Sequence, residues 1–323
     1  MKKLLSTLGI ASALLLPLTS QAGVIRHDRD MQEHINMAAQ SQFDAVGRLL
    51  FSTSAGNWIC SGTLISSSFV LTAAHCLDDV TTSNVTFQVG GLLYSGAQWL
   101  VHESWDGADL FAGNDLAILK LMGNVGNVTP ASIYQGNNEV GAIGTHVGFG
   151  ASGTGLNGAT LPPGTKRAGN NRMDVVDSTF LTGYSHDRII WTDFDAPTGT
   201  LPSQGTDLVP DSGFLEDPLA FFGFTSGGAL DLEYSIAGGD SGGGFFLNEN
   251  NQWYLAGVHS FGAGVDASGP NASYGDFSGS TRVSSFTNWI SGAQNRLSVS
   301  APGTLALLAM SLLLLPLRRR VRG

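Results

Sequence analysis

Residues 71–76 read Leu-Thr-Ala-Ala-His-Cys, so a histidine follows directly after a short apolar run. Residues 113–119 read Gly-Asn-Asp-Leu-Ala-Ile-Leu and place an aspartate in front of a second apolar run. Residues 239–243 read Gly-Asp-Ser-Gly-Gly and surround one serine with glycines. A histidine, an aspartate and a serine are the components of nucleophilic acyl transfer, and the three segments therefore predict one catalytic site.

The chemistry explains why these residue types belong together. A serine hydroxyl is a weak nucleophile until a base removes its proton, and an imidazole does this near neutral pH. A buried carboxylate holds that imidazole in the useful tautomer. Glycines beside the serine let backbone N–H groups approach the reacting carbonyl, where a side chain would crowd the oxyanion.

The composition favours short strands joined by turns. The chain has 323 residues, of which 42% are hydrophobic and 13% are charged, and 43 residues are glycine. Disorder needs low hydrophobicity with high net charge, and collagen needs glycine at every third residue, so both classes are excluded. The net charge is −10, and because both termini are basic the body is more acidic still. Such a body would repel a phosphate backbone, which argues against nucleic-acid binding.

Residues 1–22 have a basic start, an apolar stretch and small residues before a cleavage point. This pattern is typical of a secretory signal peptide, since the apolar stretch is short for a membrane anchor. We therefore expect an exported protein whose mature form begins at Gly23. Residues 23–43 are the most charged part of the body, and we expect an N-terminal segment there with a short helix.

The other terminus carries an uncharged run, Thr304–Leu317, followed at once by Arg318–Arg320. Residues 297–323 resemble the PEP-CTERM sorting tails of Gram-negative bacteria, although Ala301 stands where those tails carry glutamate. The resemblance implies transient insertion into the inner membrane with the arginines inside, removal of the tail by a sorting protease, and a final location in the periplasm, at the cell surface or outside the cell. A plain C-terminal anchor is the alternative.

Between residues 44 and 150 apolar runs alternate with turn residues, which predicts an all-β sandwich or barrel. The predicted strands of this region are Val46–Phe51, Thr63–Ile65, Phe69–Thr72, Val85–Val89, Ala117–Leu121 and Thr145–Gly148. Strand-like runs return at Gly244–Leu247 and Trp253–Val258, after an elaborated loop region at residues 151–235. Residues 283–290 carry apolar side chains at helical spacing and predict a short helix that closes the body.

Across residues 44–150 and 236–291, the chain resembles the chymotrypsin-like (trypsin-fold) serine peptidases. The histidine, aspartate and serine segments occur in that family's order. Residues 61–65 (Ser-Gly-Thr-Leu-Ile) and 148–150 (Gly-Phe-Gly) are similar to further family motifs. The resemblance implies a peptidase domain over residues 44–296, built of two antiparallel Greek-key β-barrels and a short C-terminal helix, with the active site in the cleft between the barrels.

The resemblance also implies a role for each residue of the site. Ser241 is the expected nucleophile, His75 the general base and Asp115 the carboxylate that orients the imidazole. The backbone N–H groups of Gly239 and Ser241 are expected to form the oxyanion hole. The implied activity is hydrolysis of peptide bonds in protein or peptide substrates through an acyl-enzyme, with no cofactor and no metal. The alternative is a catalytically silent adhesin or matrix-binding protein, because a fold does not fix a function.

The two cysteines of the chain, Cys60 and Cys76, predict a disulfide. An even count in an exported protein favours a bridge, and two cysteines allow one pairing. The pair brackets the histidine segment as the bridge of the resembled family does. A catalytic cysteine is the alternative reading.

The start of the mature chain departs from the family pattern. Most members begin with a freed Ile-Val-Gly-Gly terminus whose ammonium pairs with the aspartate before the serine, which here is Asp240. A buried carboxylate still needs a cation, and we expect either the ammonium of Gly23 or the guanidinium of Arg26. Removal of the signal peptide would then activate the protein, and a separate pro-segment cut is the alternative.

The residues expected around the specificity pocket argue against cleavage after lysine or arginine. By the resemblance, Ser235 stands at the base, where trypsin-like cleavage requires aspartate, and Ser260 and Gly262 stand in the wall. His259 precedes that wall, and a histidine there resembles the glutamyl endopeptidases of the family. The implied preference is therefore an apolar or aromatic residue, or glutamate.

Two further features carry weaker expectations. Residues 193–195 read Asp-Phe-Asp, for which a solvated acidic loop is expected and calcium binding is the alternative. His102 lies in a segment that resembles a structural loop of the family, so a structural role is expected there.

Overall fold

The computed structural model describes residues 23–80, 84–176, 179–200, 215–221, 223–224, 227–264 and 272–298. Strands dominate this part of the chain, and its helices are short. The expected signal peptide, residues 1–22, and residues 299–323 of the expected tail lie outside the described residues. In the described part, no helix has both the length and the apolar character that a membrane crossing requires.

The first sheet is a closed antiparallel barrel in the order β2-β3-β4-β7-β6-β5. Its strands are β2 (Val46–Thr53), β3 (Gly56–Ser66), β4 (Phe69–Thr72), β5 (Thr86–Val89), β6 (Leu92–Val101) and β7 (Ala117–Leu121). Apolar side chains at alternate positions fill its interior, as Leu49, Phe87 and Leu119 do, because successive residues of a strand face opposite sides. The alternation read from the sequence therefore becomes the barrel core.

The second sheet has seven strands in the order β12-β9-β15-β16-β17-β13, with β8 paired to β16. Its strands are β8 (Ser132–Ile133), β9 (Ile143–Gly148), β12 (Arg167–Arg172), β13 (Ile189–Asp193), β15 (Gly244–Glu249), β16 (Gln252–Ala263) and β17 (Phe277–Arg282). The β8–β16 pair is parallel and the other pairs are antiparallel. Two barrel-like sheets confirm the all-β expectation.

A small third sheet ties the start of the described chain into the body. Its order is β11 (Gly158–Leu161), β10 (Ser152–Thr154), β1 (Gly23–Ile25) and β14 (Tyr234–Ser235). Helix α1 (Met31–Ala38) follows, and the Asp30 side chain caps it by accepting from the backbone N–H of Gln32 at 2.9 Å. The short helix expected within residues 23–43 is therefore present, and it packs on β12.

Short helices complete the fold: α2 (Thr179–Thr182), α3 (Pro218–Phe221) and α4 (Thr287–Ser298). Helix α4 follows a 3-10 turn at Val283–Phe286 and buries Ile290, Ala293 and Leu297. These side chains join one apolar cluster with Leu71 of the first barrel and Val147 of the second sheet. The closing helix expected from the sequence thus covers the junction of the two barrels.

The segment expected as an elaborated loop, residues 151–235, contains strands β10 to β14. Strand β12 reads Arg-Ala-Gly-Asn-Asn-Arg and lacks an apolar alternation. It is stabilised by buried polar contacts instead, since the Asn171 amide donates to the backbone oxygens of Asp193 at 2.6 Å and Tyr234 at 3.2 Å. Sequence periodicity does not detect a strand whose partners are distant polar groups.

The disulfide between Cys60 and Cys76 is present, which confirms the predicted pairing. It joins β3 to the turn that carries His75, with 5% of Cys60 and 1% of Cys76 exposed. A cross-link that closes a loop of this size stabilises the folded state by about 3 kcal/mol in the chain-entropy description. Since both cysteines are in the bridge, neither is a free thiol.

Candidate active site

Two neighbouring strands of the first barrel bring His75 and Asp115 together. His75 lies in a 3-10 turn directly after β4, and Asp115 lies just before β7, which pairs with β4 through Thr72 and Ala117. The His75 Nδ1 atom lies 2.7 Å from Asp115 Oδ2, and the His75 backbone N–H donates to Oδ1 at 3.0 Å. The carboxylate therefore holds both the ring and the backbone of His75, which leaves Nε2 as the nitrogen for a substrate-side proton.

The second sheet holds the same carboxylate from the other side. Asp115 is fully buried, and the Ser260 hydroxyl in β16 donates to its Oδ2 at 2.5 Å. The Thr281 hydroxyl in β17 donates to the Asp115 backbone oxygen at 3.0 Å. The sequence placed Ser260 in the pocket wall, and the structure adds this contact with the carboxylate.

The Asp115 contact raises the pKa of His75. Burial alone would lower that pKa, but the charge of Asp115 and its hydrogen bond to the ring outweigh the burial. The His75 side chain keeps 31% of its surface exposed toward the cleft. The imidazole is therefore both reachable from solvent and oriented by its carboxylate.

The loop between β14 and β15 carries Ser241 into the same cleft. The Ser241 backbone oxygen accepts from the Ser61 N–H at 2.8 Å, and the Ser61 hydroxyl donates to the Gly239 oxygen at 2.9 Å. One cavity of about 410 Å³ is lined by His75, Gly239 and Ser241 together. Strand β3 thus anchors the serine loop from the first barrel.

Two glycines of that loop have backbone geometry that other residues rarely adopt. Gly239 has φ +99°, and a Cβ there would lie 3.0 Å from the Gly150 Cα. Gly242 has φ +81°, and a Cβ there would collide with the Thr72 hydroxyl and the Ser61 oxygen. Left-handed φ and lack of space both require glycine, which explains the glycines around the serine.

Asp240, beside the serine, is fully buried. Its oxygens accept from the backbone N–H of Gly150 at 2.7 Å and of Ala237 at 2.9 Å, and the Tyr234 hydroxyl lies 3.4 Å from both oxygens. Burial raises the pKa of Asp240 to about 7, although these hydrogen bonds and the charge of buried Arg167 oppose the rise. The carboxylate therefore still favours a nearby cation.

The structure argues against one of the two cations expected for Asp240. The Arg26 guanidinium lies 2.7 Å from Asp28 and also donates to the Leu230 oxygen at 2.7 Å. The expectation of an Arg26 partner is therefore wrong, because Arg26 pairs with Asp28, two residues further along the chain. Gly23 instead lies against the Tyr234 ring, whose hydroxyl reaches Asp240.

A second cavity of about 320 Å³ lies on the other side of Ser241. It is lined by Leu110, Ala159, Ile236, Ala237, Gly238, Ser241, Ser260, Phe261, Gly262 and Ala272. Most of these side chains are small and apolar, and no charged residue is among the lining residues that the structure describes. Ser260 and Gly262, which were expected in the pocket wall, are among these lining residues. The sequence analysis missed Leu110 and Ala272, which come from distant loops and carry no motif.

The other two residues expected in the pocket lie behind it. Ser235 is buried with its hydroxyl 3.2 Å from the Ser278 hydroxyl. His259 is fully buried, and its Nε2 lies 3.0 Å from Nδ1 of His146. Burial lowers the pKa of His259 to about 3, so the ring is neutral. Neither residue is among the lining residues of the cavity beside Ser241.

The structure also bears on the two weaker expectations, for the Asp-Phe-Asp segment and for His102. Asp193 and Asp195 are only 1% and 2% exposed, so the expectation of a solvated acidic loop is wrong. Asp193 is the last residue of β13 and pairs with Phe277 of β17, and the two aspartates flank buried Phe194. His102 packs on Phe286 and Trp289 with ring centroids 5.1 and 5.0 Å away, which is a structural contact.

We predict that the pKa of His75 lies above 6.5, its ordinary value, and that Asp115→Asn moves it below 6.5. In that variant burial lowers the pKa of His75 and the negative charge at residue 115 no longer opposes it. NMR titration of the labelled imidazole measures both values. Because the folded pKa is raised, the contact contributes stability below about pH 6.5 and that contribution is lost as pH rises through the folded pKa. Ser241→Ala is the control and should keep the raised pKa, whereas equal pKa values in the wild type and Asp115→Asn would contradict the prediction.

Comparison with known proteins shows what this chain is similar to. Residues 35–192 match the Trypsin family. Chymotrypsin from Phaedon cochleariae is 29% identical over 85 residues, which cover 24% of this chain and 30% of that protein. Chymotrypsin-like elastase family member 1 from Canis lupus familiaris is 38% identical over 78 residues, which cover 21% of this chain and 30% of that protein. These two alignments span less than a third of their relatives.

Two longer matches cover most of the chain. Chymotrypsin-like elastase family member 1 from Rattus norvegicus is 29% identical over 253 residues, which cover 73% of this chain and 80% of that protein. A solved structure of HL collagenase superposes with a TM-score of 0.54 and 21% identity, covering 81% of this chain and 97% of the other. At that identity the superposition supports the fold alone. The chain thus has the chymotrypsin-like fold, and its residues 35–192 are similar to the Trypsin family.

Proposed function

We propose that this protein is a serine endopeptidase that uses Ser241, His75 and Asp115. The trypsin-family match and the chymotrypsin and elastase relatives support peptide-bond hydrolysis. The observation that carries the proposal is the buried Asp115 carboxylate 2.7 Å from His75 Nδ1, with His75 and Ser241 lining one cavity. A purely structural histidine would not need a buried carboxylate on one nitrogen and an open cleft at the other.

The proposed reaction has two halves that share the same groups. The Ser241 hydroxyl attacks the peptide carbonyl carbon while His75 Nε2 takes its proton, and Asp115 stabilises the resulting imidazolium. The imidazolium then gives the proton to the leaving amine, which departs and leaves an acyl-enzyme. Water repeats the sequence and releases the acid. The N–H groups of Gly239 and Ser241 are proposed to bind the oxyanion, where the loss of one donor costs about 3 kcal/mol.

The proposed specificity is for an apolar or aromatic residue before the cleaved bond. The cavity beside Ser241 has no charged lining residue among those described, which disfavours lysine and arginine. Recognition of glutamate would need a donor or a cation, but His259 is neutral and its Nε2 faces His146. A mostly apolar cavity of this kind instead favours burial of an apolar side chain.

The proposed activation step places the ammonium of Gly23 beside Asp240. Gly23 lies in β1 next to Tyr234, and Asp240 accepts hydrogen bonds but is still short of a matched cation. An ammonium there would favour the ionised carboxylate and fix the serine loop. A separate pro-segment cut at another residue is the alternative.

Export and sorting are further proposals that rest on the sequence. Residues 1–22 are proposed to be removed as a signal peptide, and residues 297–323 to act as a PEP-CTERM-like tail that inserts transiently in the inner membrane. The tail is proposed to be cut by a sorting protease, after which the protein reaches the periplasm, the cell surface or the medium. Helix α4 ends at Ser298, so the proposed tail overlaps it by two residues.

We predict that Ser241→Ala lowers peptide hydrolysis by about a millionfold and abolishes labelling by a fluorophosphonate, because the nucleophile is removed. The fold should persist, since truncation of a serine at a cleft surface changes stability by less than about 1 kcal/mol. A peptide-hydrolysis assay and fluorophosphonate labelling measure the loss of reactivity, and circular dichroism measures the fold. Ser291→Ala, on the surface of α4, is the matched control and should retain both peptide hydrolysis and labelling. Retained turnover in Ser241→Ala would reject the proposed nucleophile, and an unlabelled wild type would favour the silent binding protein.

A peptide library tests the specificity. We expect kcat/KM after Phe or Leu to exceed that after Glu by at least about tenfold, since burial of one such side chain is worth about 1.5 to 3 kcal/mol. The His259→Asn variant should keep the same order of preference because His259 lies behind the cavity lining. A wild-type preference for Glu that disappears in His259→Asn would show the glutamyl alternative to be right.

Intact-mass measurement of the active protein from its native host tests the processing. We expect a chain that begins at Gly23 and lacks residues 303–323. An active protein with another first residue would favour the pro-segment alternative. An active protein that keeps residues 303–323 would contradict sorting by cleavage and favour a plain anchor.

A further inference from the structure

Five carboxylates converge near the end of β13, outside the group formed by His75 and Asp115. They are Asp174, Asp193, Asp195, Asp217 and Glu233. Four separate parts of the chain supply them: the segment after β12, the end of β13, the start of α3 and the residue before β14. Carboxylate oxygens of Asp193, Asp195 and Asp217 lie within 4.8 Å of one another. We call this group the acidic cluster.

Most of the acidic cluster is buried rather than solvated. Exposure is 3% or less at Asp174, Asp193, Asp195 and Glu233, and Asp217 is half-buried. Like charges at such distances repel strongly where little water is present, so the arrangement needs either bound protons or a bound cation.

The charges that act most strongly on two members of the acidic cluster are mainly negative. Arg26 is a basic residue whose charge acts on Glu233, but its guanidinium is paired with Asp28 at 2.7 Å. The charges with the largest effect on Asp195 are those of Asp193, Glu233, Asp217 and Asp174. Asp195 and Glu233 therefore lie in a strongly acidic environment.

Two buried oxygens of the acidic cluster also lack a donor. Glu233 is fully buried, and its Oε2 accepts from the Leu230 N–H at 2.5 Å, while its Oε1 has no hydrogen-bond partner within the described part of the chain. The same is true of Asp195 Oδ1. An unsatisfied buried carboxylate oxygen is costly, and coordination to a cation removes that cost.

We propose that the acidic cluster binds one calcium ion, with Asp193, Asp195 and Asp217 as ligands and Glu233 as a further oxygen donor. Calcium takes six to eight oxygen ligands in flexible geometry, which suits carboxylates from four segments. Zinc prefers nitrogen and sulfur ligands, and magnesium keeps much of its water, so an all-oxygen buried group favours calcium. The site is separate from the triad, and the inference does not rest on the proposed peptidase activity.

Bound calcium would also stabilise one wall of the cavity beside Ser241. Phe194 lies between the two aspartates and belongs to an apolar cluster that contains Ala272, with Ala237 packed against it. Ala237 and Ala272 line that cavity. The ion would therefore join the end of β13 and α3 behind the cavity wall.

The test uses the full protein freed of metal with EDTA and returned to EDTA-free buffer. Terbium replaces calcium, and Trp191 precedes Asp193 by two residues on β13, so the two side chains share one face. We expect terbium emission on tryptophan excitation, displaced by calcium with a Kd at or below about 1 mM. Calcium at one hundred times its Kd should raise the Tm by about 5 to 10 °C, and magnesium at the same concentration by less.

Neutral variants separate a bound cation from bound protons. Asp195→Asn and Glu233→Gln should lose the terbium emission and the calcium-dependent rise in Tm. In EDTA their Tm should equal or exceed that of the wild type, because a repelling charge has been removed. Glu33→Gln, an exposed carboxylate on α1, is the matched control and should behave as the wild type. The proposal is overturned if the wild type shows neither effect, or if both effects persist in the Asp195→Asn, Glu233→Gln double variant.

Discussion

The buried Asp115 carboxylate joins the two barrels of this protein. His75 contacts it from the first barrel, and the Ser260 hydroxyl of β16 donates to it from the second sheet. The Thr281 hydroxyl of β17 donates to the Asp115 backbone oxygen. A buried carboxylate is tolerated only when its oxygens are paired, so the correct docking of both barrels is a condition for burying it. The same contacts orient the imidazole. Fold and proposed chemistry therefore depend on one set of hydrogen bonds.

Buried charge recurs elsewhere in the molecule, and its surroundings differ from site to site. Asp240 relies on backbone N–H groups and Tyr234, with Arg167 as the nearby charge. Arg282 in β17 is paired with Glu139 at 2.8 Å. In the acidic cluster, Asp195 Oδ1 and Glu233 Oε1 have no hydrogen-bond partner within the described part of the chain. These two oxygens are the reason that the acidic cluster is proposed as a ligand site.

The sequence predicted the proposed catalytic residues but not the cavity beside them. Short sequence motifs contain His75, Asp115 and Ser241. The glycines and apolar runs of these motifs are required by local structure, as the left-handed φ of Gly242 illustrates. The cavity lining comes from loops that are distant in sequence, so Leu110 carries no local signal. His259 was placed near substrate by its position in a motif, yet its ring bonds to His146 behind the wall. Strand alternation does not tell which side of a wall a side chain occupies.

By itself the sequence determined five strands of the first barrel, the closing helix and the pairing of Cys60 with Cys76. The strands and the helix follow from apolar periodicity, and the pairing follows from the presence of only two cysteines. Strand β6 was not predicted, because most of its residues are exposed or half-buried. Only the tertiary structure decided where the polar strands lie. Strand β12 has no apolar pattern, and its place depends on contacts such as that of Asn171 with Asp193. It also decided the partners of the charged groups. Arg26 pairs with Asp28, and carboxylates from four segments lie close together near the end of β13. The physical reason is that apolar burial acts through local periodicity, whereas hydrogen bonds and charges depend on distances that exist only after the barrels have closed.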